Sequence, residues 1–163
     1  MATSTSTPIV RTCGTMAVHE RLLRSDPEYR RLRIASENHH VEFRLRRGIE
    51  SRTGVTRIPV VVHVIHKTKA QNISDTQVES QIEVLNRDFR RTNADLSKVP
   101  APFKPLAGDA RVEFVLADTD PSGRPSSGIL RRATRVTRFL DDDKVKRNAK
   151  GGSDAWPRDR YLN

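Results

Sequence analysis

The 163-residue chain contains one cysteine, Cys13, and this scarcity excludes an intramolecular disulfide framework and any zinc finger built on several cysteines. It also lacks an apolar run near the roughly 20 residues that cross a bilayer, so we expect no membrane partner. The first ten residues are rich in Ser and Thr and show no apolar export core, so no signal peptide is visible.

Aromatic residues are also scarce, at 5% of the chain, whereas Lys and Arg outnumber Asp and Glu by 30 to 20. The resulting charge of +10 makes nucleic acid, anionic lipid and acidic proteins the classes of partner to consider. No RNA-recognition, helix-turn-helix or finger motif accompanies the basic residues, so we expect no nucleic-acid partner. The strongest basic cluster is a ladder on one segment: Arg131, Arg132, Arg135 and Arg138.

Residues 1–57 contain eleven Arg, no Lys and no long apolar run, which is typical of a basic extension. Asp26, Pro27 and Glu28 predict a helix start, because proline is tolerated in the first turn and glutamate complements the helix dipole. The polar segment 44–57 contains Gly48 and Gly54 and is the best candidate for a flexible boundary.

Residues 58–163 carry the stronger folding signals. Ile58–Ile65 is nearly continuously apolar and β-branched, as in a strand covered on both faces. Ser74 and Gln77 form a capping box that predicts a helix running to about Thr92. Its apolar stripe can cover a sheet and consists of Val78, Ile82, Leu85 and Phe89. With a second strand at 111–117, the order predicts a right-handed crossover unit.

The remaining segments are shorter. Three prolines predict a loop over 93–108, and Asp120–Gly123 predicts a turn. Residues 128–139 are expected to be extended, and 160–163 to enter a further strand. Asp141, Asp142 and Asp143 either cap a short helix, the favoured interpretation, or offer oxygen ligands to calcium.

The histidines do not form a convincing metal site. His63 and His66 lie three apart on a strand and point to opposite faces, and the neighbours His39 and His40 lie in a polar stretch. His19 and Glu20 begin a His-Glu-x-x-His motif, but the fifth position is Leu23, so we interpret the pair as a surface-helix dipeptide. Taken alone, Cys13 is either an idle thiol or a ligand for a soft or borderline metal.

Three stretches read together resemble the pappalysin family of metzincin zinc metallopeptidases. The first is Arg11–Thr15, the second is Ile58–Ile65 with the helix through Leu85–Asn93, and the third is Gly151–Asn163. The resemblance covers nearly the whole chain. It implies an α/β fold: an incomplete metzincin-like upper subdomain, with a twisted mixed sheet and a backing helix, preceded by a basic, partly helical pro-segment.

The resemblance also implies functional assignments. Residues 1–51 are a pro-segment in which Cys13 is the cysteine switch that blocks zinc, and residues 52–163 begin the catalytic domain. Ser51 and Arg52 mark the cleavage site, and a flexible basic linker suits proteolysis on physical grounds as well. The full-length parent is expected to be secreted, to hold zinc with calcium possible, and to act on a protein or peptide substrate.

The chain departs from the family pattern in one decisive respect. The zinc helix His-Glu-x-x-His-x-x-Gly-x-x-His and the later methionine turn do not occur between Met1 and Asn163. Without three histidine ligands no water can be activated on zinc, so we expect this chain, truncated before that helix, to be an inactive fragment of a zinc metalloendopeptidase. The alternative is a noncatalytic inhibitory or binding module, and a basic nucleic-acid-binding protein is the least favoured interpretation.

Overall fold

The computed structural model describes residues 14–47, 53–140 and 142–163. The chain divides into two compact units, residues 1–50 and 51–163. Cys13, Ser51, Arg52 and Asp141 lie outside the described residues. Within the described residues, no helix is long and apolar enough to span a bilayer.

The first unit contains two helices, α1 (Thr15–Ser25) and α2 (Pro27–Arg47). The predicted start of α2 is confirmed, because the amide N–H of Tyr29 donates to Asp26 Oδ1 at 3.0 Å. The prediction of a flexible segment over 44–57 is wrong for residues 44–47, which belong to α2, and for residues 56 and 57, which belong to the first strand. The helix continues over 44–47 because i,i+4 ion pairs such as Glu42–Arg46 (3.7 Å) support it and the first glycine is Gly48.

The second unit has four strands: β1 (Thr56–Val60), β2 (Val62–His66), β3 (Val112–Leu116) and β4 (Ile129–Ala133). β1 pairs in parallel with β3, and β2 pairs in parallel with β4. The single strand predicted over 58–65 is therefore two strands with different partners. They meet at Val61, which is only 1% exposed and whose N–H donates to the carbonyl of Leu162 at 2.7 Å.

Helix α3 (Asp75–Phe89) connects β1 and β2 to β3. Its N-cap is Ser74, as predicted, and the Gln77 amide donates to Ser74 Oγ at 3.2 Å. The return bond from the Gln77 side chain is not among the hydrogen bonds of the described residues. The helix ends before Thr92, because Arg91 adopts a left-handed φ of 55°.

The apolar stripe of α3 packs on β3, as its spacing predicts. Val78 is buried, and the ring of Phe89 meets the ring of Phe114 edge to face, with centroids 4.9 Å apart. Leu85 and Phe89 remain 38% and 40% exposed. The stripe therefore covers the sheet incompletely.

Asn86 lies on the same helix and completes the outer edge of β3. Its Oδ1 accepts from the N–H of Phe114 at 2.7 Å, and its Nδ2 donates to the carbonyl of Phe114 at 2.9 Å. At Phe114 a side-chain amide thus takes the place of a neighbouring strand and pairs both backbone groups of that residue.

The segments that connect the strands lie in the predicted order, but their regular elements are shorter than predicted. The proline-rich stretch contains two 3-10 helices, Ala94–Lys98 and Ala101–Leu106. The predicted turn is present, and Gly123, with φ of 85°, donates its N–H to the Asp120 carbonyl at 2.9 Å. β4 is shorter than the extended segment predicted over 128–139. Leu162 forms a parallel bridge with Val60, as expected for the entrance to a further strand.

The start of β1 is fastened to β3 through Arg111. This residue has a left-handed φ of 51°, and its carbonyl accepts from the N–H of Thr56 at 2.9 Å. Its guanidinium Nη1 donates to the carbonyl of Thr53 at 2.7 Å. Both backbone and side chain of Arg111 therefore hold residues 53–56.

Candidate functional site

Three residues predicted for function, Cys13, Ser51 and Arg52, lie outside the described residues. In residues 14–47, 53–140 and 142–163, no group of three or more His, Cys, Asp and Glu side chains is arranged to hold a metal ion. The described residues therefore do not fit a zinc ion by themselves. The polar cluster that does form joins β2 to the segment 153–163.

His63 is the centre of this cluster. Its Nδ1 lies 2.8 Å from Ser153 Oγ, and its Nε2 lies 3.1 Å from Asn163 Oδ1. Both ring nitrogens are thus engaged by oxygen atoms, which leaves neither of them free for an ion. His66, at the end of the same strand, does not join the cluster.

The hydrogen bonds that Asn163 makes with Trp156 determine the tautomer of His63. Its Oδ1 accepts from the N–H of Trp156 at 2.7 Å, and its Nδ2 donates to the Trp156 carbonyl at 3.1 Å. These two bonds determine which atom of the Asn163 amide is the oxygen, and that oxygen faces Nε2 of His63. Because the oxygen can only accept a hydrogen bond, Nε2 must carry the proton. Nδ1 is then the acceptor, and the hydroxyl of Ser153 donates to it.

A serine, a histidine and an amide in this order are the arrangement that activates a serine nucleophile. The backbone does not support that chemistry here. The N–H of Ser153 donates to the Val145 carbonyl at 2.9 Å, and that of Gly152 donates to the Arg147 carbonyl at 3.0 Å, so neither is available to an oxyanion. The cluster instead holds the segment 153–163 against β2 through hydrogen bonds.

Two further features hold this segment. The rings of Trp156 and Tyr161 meet edge to face at 4.9 Å, and the Tyr161 hydroxyl donates to the Thr119 carbonyl at 2.9 Å. Gly152 is buried, and a Cβ at this position would overlap the carbonyl group of Val145. The backbone approach at Gly152 therefore excludes every larger residue.

The other histidines are in the first unit. His19 lies on α1, and its Nδ1 is 2.8 Å from the hydroxyl of Tyr29 on α2, which links the two helices. Glu20 pairs with Arg24 one turn later at 3.8 Å. The interpretation of His19 and Glu20 as part of a surface helix is confirmed. His39 and His40 are exposed on α2.

The described aspartates lie at the start of a short helix, as predicted, but the N-cap residue Asp143 makes no side-chain capping bond. Asp142 Oδ1 accepts from the N–H of Lys144 at 3.2 Å, at the start of a 3-10 helix over Lys144–Lys146. The side chain of Lys144, followed by its backbone N–H, lowers the pKa of Asp142. Asp143 pairs with Lys146 at 2.9 Å. Calcium binding stays a prediction.

Two residues of the arginine ladder, Arg131 and Arg132, lie on opposite faces of β4, whereas Arg135 and Arg138 follow the strand. Nη1 of Arg131 donates to Asn72 Oδ1 at 2.5 Å and to the Ile73 carbonyl at 2.6 Å, and Nη2 pairs with Asp75. Arg132 donates to the Asn148 carbonyl at 3.1 Å. These two arginines fasten β4 to its neighbours, so they do not present one continuous surface to phosphate groups.

A charge network closes the carboxyl end of α3. Arg90 lies 3.1 Å from Asp109 and 2.5 Å from Glu113. The backbone N–H of Arg111, and then the side chain of Arg90, lower the pKa of Asp109. The network stabilises the join between α3 and β3.

The helical first unit, the parallel strand pairs and the backing helix form a mixed α/β architecture that matches the pro-segment and part of the catalytic domain of a metzincin-type peptidase, promirolysin. A promirolysin mutant from Tannerella forsythia is 43% identical to this chain, with a TM-score of 0.73. The match covers 94% of this chain and 49% of the promirolysin chain. Mature mirolysin from the same organism, in complex with a cleaved peptide, is 50% identical with a TM-score of 0.67.

The match to mature mirolysin covers 69% of this chain and 42% of the mirolysin chain. The structure of mirolysin in complex with compound 9 gives the same identity, coverage and TM-score. The chain thus spans less than half the length of these relatives. The chain is therefore similar both to the pro-form and to the mature form of mirolysin. No protein-family model matches the chain, and no curated protein matches it.

Sequence reasoning missed Asn86 and the partners of His63. Asn86 and Asn163 both lie within stretches quoted for the family resemblance, which is the one signal that could have singled them out. Periodicity could not, because it distinguishes apolar from polar positions and does not pair an amide with a distant backbone group.

Proposed function

We propose that the chain is the pro-segment and the amino-terminal part of the catalytic domain of a pappalysin-type zinc metalloendopeptidase. The observation that carries this proposal is the similarity to promirolysin, which extends over 94% of the chain at 43% identity and so includes both units. The parent is a secreted peptidase that cleaves a protein or peptide substrate.

Zinc belongs to the parent, and its ligands lie in the part of the relatives that this chain does not span. When bound, zinc would supply the activated water of peptide hydrolysis. The present residues supply the scaffold, and by themselves they do not hydrolyse peptides.

Cys13 is the blocking ligand of the latent form. It directly precedes Gly14, the N-cap residue of α1, so a rigid helix follows the thiol in the chain. A thiolate can occupy the zinc position that water needs. Oxidation or replacement of this cysteine should therefore release latency.

The pro-segment spans residues 1–51 and is removed between Ser51 and Arg52. The division of the contacts at residues 50 and 51 supports a boundary here. The hydrogen bond from Arg111 to Thr53 supports it as well, because the residues that follow the proposed cut are fastened independently of the pro-segment.

A chimera tests the proposal directly. Residues 1–163 replace the equivalent part of promirolysin, and proteolysis of a protein substrate is measured with and without a chelator. We expect a latent protein that matures to chelator-sensitive activity, with a new amino terminus at Arg52. A chimera that folds as a monomer but never becomes active would contradict the proposal. So would chelator-sensitive proteolysis by the purified chain alone.

The role of Cys13 is tested in the same chimera. We expect Cys13→Ala to shorten the lag before activity, and Ser36→Ala, an exposed change on α2, to leave the lag unchanged. If the chimera cannot be obtained folded, inhibition of mature mirolysin by residues 1–163 replaces the lag as the readout. Equal latency, or equal inhibition, by the Cys13→Ala and Ser36→Ala proteins would refute the assignment.

A further inference from the structure

A groove of about 330 Å³ lies on the second unit between β1 and the turn that precedes Leu162. It contains an apolar strip formed by Ile58, Pro59 and Leu162, and Leu162 is 47% exposed. Arg57, Arg158 and Arg160 also line it. The groove therefore combines an apolar surface with three cationic side chains.

The backbone of β1 is open at this groove. Thr56 and Val60 bond to the β3 side, through Thr56 N–H to the Arg111 carbonyl and Ala117 N–H to the Val60 carbonyl. The alternate residues face the other way, where Leu162 bonds to Pro59 and Val61. Arg57 continues that edge, and its N–H and C=O have no hydrogen-bond partner among the described residues.

The charges of the groove are largely uncompensated. The side chain of Arg57 is 74% exposed, and its contact with Glu113 is long, at 3.5 Å. Arg158 and Arg160 are exposed and have no ion pair within the described ranges. Asp159 is the single acid in the lining, so the groove carries a net positive charge.

From these observations we infer that the groove binds an extended acidic peptide segment that carries an apolar side chain. The peptide backbone pairs with the free edge at Arg57, as in strand addition to a sheet. Its carboxylates meet Arg158 and Arg160, and its apolar side chain covers Leu162. Charge-assisted bonds to guanidinium groups supply the preference for acidic over basic segments.

Nucleic acid fits this groove less well. Tyr161 is the aromatic residue of the lining, and its ring is already contacted by Trp156 at 4.9 Å between centroids and by the Arg160 guanidinium at 5.7 Å. Stacking of a base needs a free ring face. A second copy of this chain fits less well too, since both copies carry a charge of +10.

The test uses residues 1–163 and a fluorescein-labelled seven-residue peptide of Asp and Glu with one central Leu, followed by fluorescence polarisation. We expect the double variant Arg158→Gln/Arg160→Gln to weaken binding about tenfold, because two charge-assisted contacts of about 0.7 kcal/mol each are lost. The matched control is Arg135→Gln/Arg138→Gln, two exposed arginines outside the groove, which should change affinity less than about twofold.

Strand addition has its own readout. Methylation of the peptide nitrogens that face β1 should weaken binding by about tenfold or more, since the backbone bonds are lost. Equal losses in the two double variants would overturn the inference in favour of a general electrostatic field. Binding of a single-stranded oligonucleotide of equal charge as tightly as the peptide would overturn it too, as would self-association without peptide binding.

Discussion

Asn86 offers the sharpest test of how the second unit is held together. The Asn86→Ala change removes two hydrogen bonds to the backbone of Phe114, a residue that is 7% exposed. Leaving that N–H and C=O without partners costs about 1–3 kcal/mol each. Alanine returns roughly 0.6 kcal/mol through its better helix propensity. We therefore expect a net loss of roughly 1.4–5.4 kcal/mol.

The assay is urea unfolding of residues 1–163, monitored by the fluorescence of Trp156, the single tryptophan of the chain. The loss should lower the midpoint urea concentration without changing the slope m, and in thermal unfolding each 2 kcal/mol lost should lower the Tm by roughly 4–8 °C for a chain of this size. The matched control is Glu79→Ala, an exposed residue on the same helix, which should shift stability by less than about 0.5 kcal/mol.

Hydrogen exchange at the amide of Phe114 separates the proposed cause from general destabilisation. In Asn86→Ala this amide should exchange faster than the amides of β4, because its local partner is gone. Unchanged exchange at Phe114, or equal stabilities of the Asn86→Ala and Glu79→Ala proteins, would refute the account of Asn86 as a substitute strand.

Three smaller tests address the cluster, the charge network and the close backbone approach. Ser153→Ala should cost about 1 kcal/mol and speed amide exchange over 153–163, and unchanged exchange would show that the His63 fastening does not hold that segment. Because the pKa of Asp109 is lowered in the fold, its contribution is present above the unfolded value near 4 and is lost as the pH falls through the lowered native value. Asp109→Asn should therefore flatten the loss of stability below about pH 4, and parallel acid titrations of the two proteins would contradict this. Gly152→Ala should destabilise by about 1–3 kcal/mol through overlap with backbone, whereas Gly54→Ala, with open space around it, should change stability little, so equal effects would be evidence against the close approach.

The sequence predicts those elements whose signals are local. The start of α3 depends on Ser74 and the residues just after it, and the turn at Asp120–Gly123 is also set within four residues. The strand at 111–117 follows from alternation alone. Each of these features is present in the structure.

Features set by distant residues were not predictable in the same way. The division of the long strand at Val61 depends on Leu162, about 100 positions later in the chain. The role of His63 depends on Ser153 and Asn163, and its spacing to His66 carried no information about them. The contacts of Arg131 with Asn72 and of Arg132 with Asn148 likewise join residues that are far apart in the sequence.

Arg111 has a consequence for maturation of the parent. Its side chain contacts Thr53 and its carbonyl contacts Thr56, so residues 53–56, just after the proposed cut, are held at two points. A new amino terminus at Arg52 would directly precede Thr53, so the two contacts with Arg111 would keep the start of β1 paired in the sheet. Trimming by an exopeptidase should accordingly stall at once, and mature preparations should show one uniform starting residue.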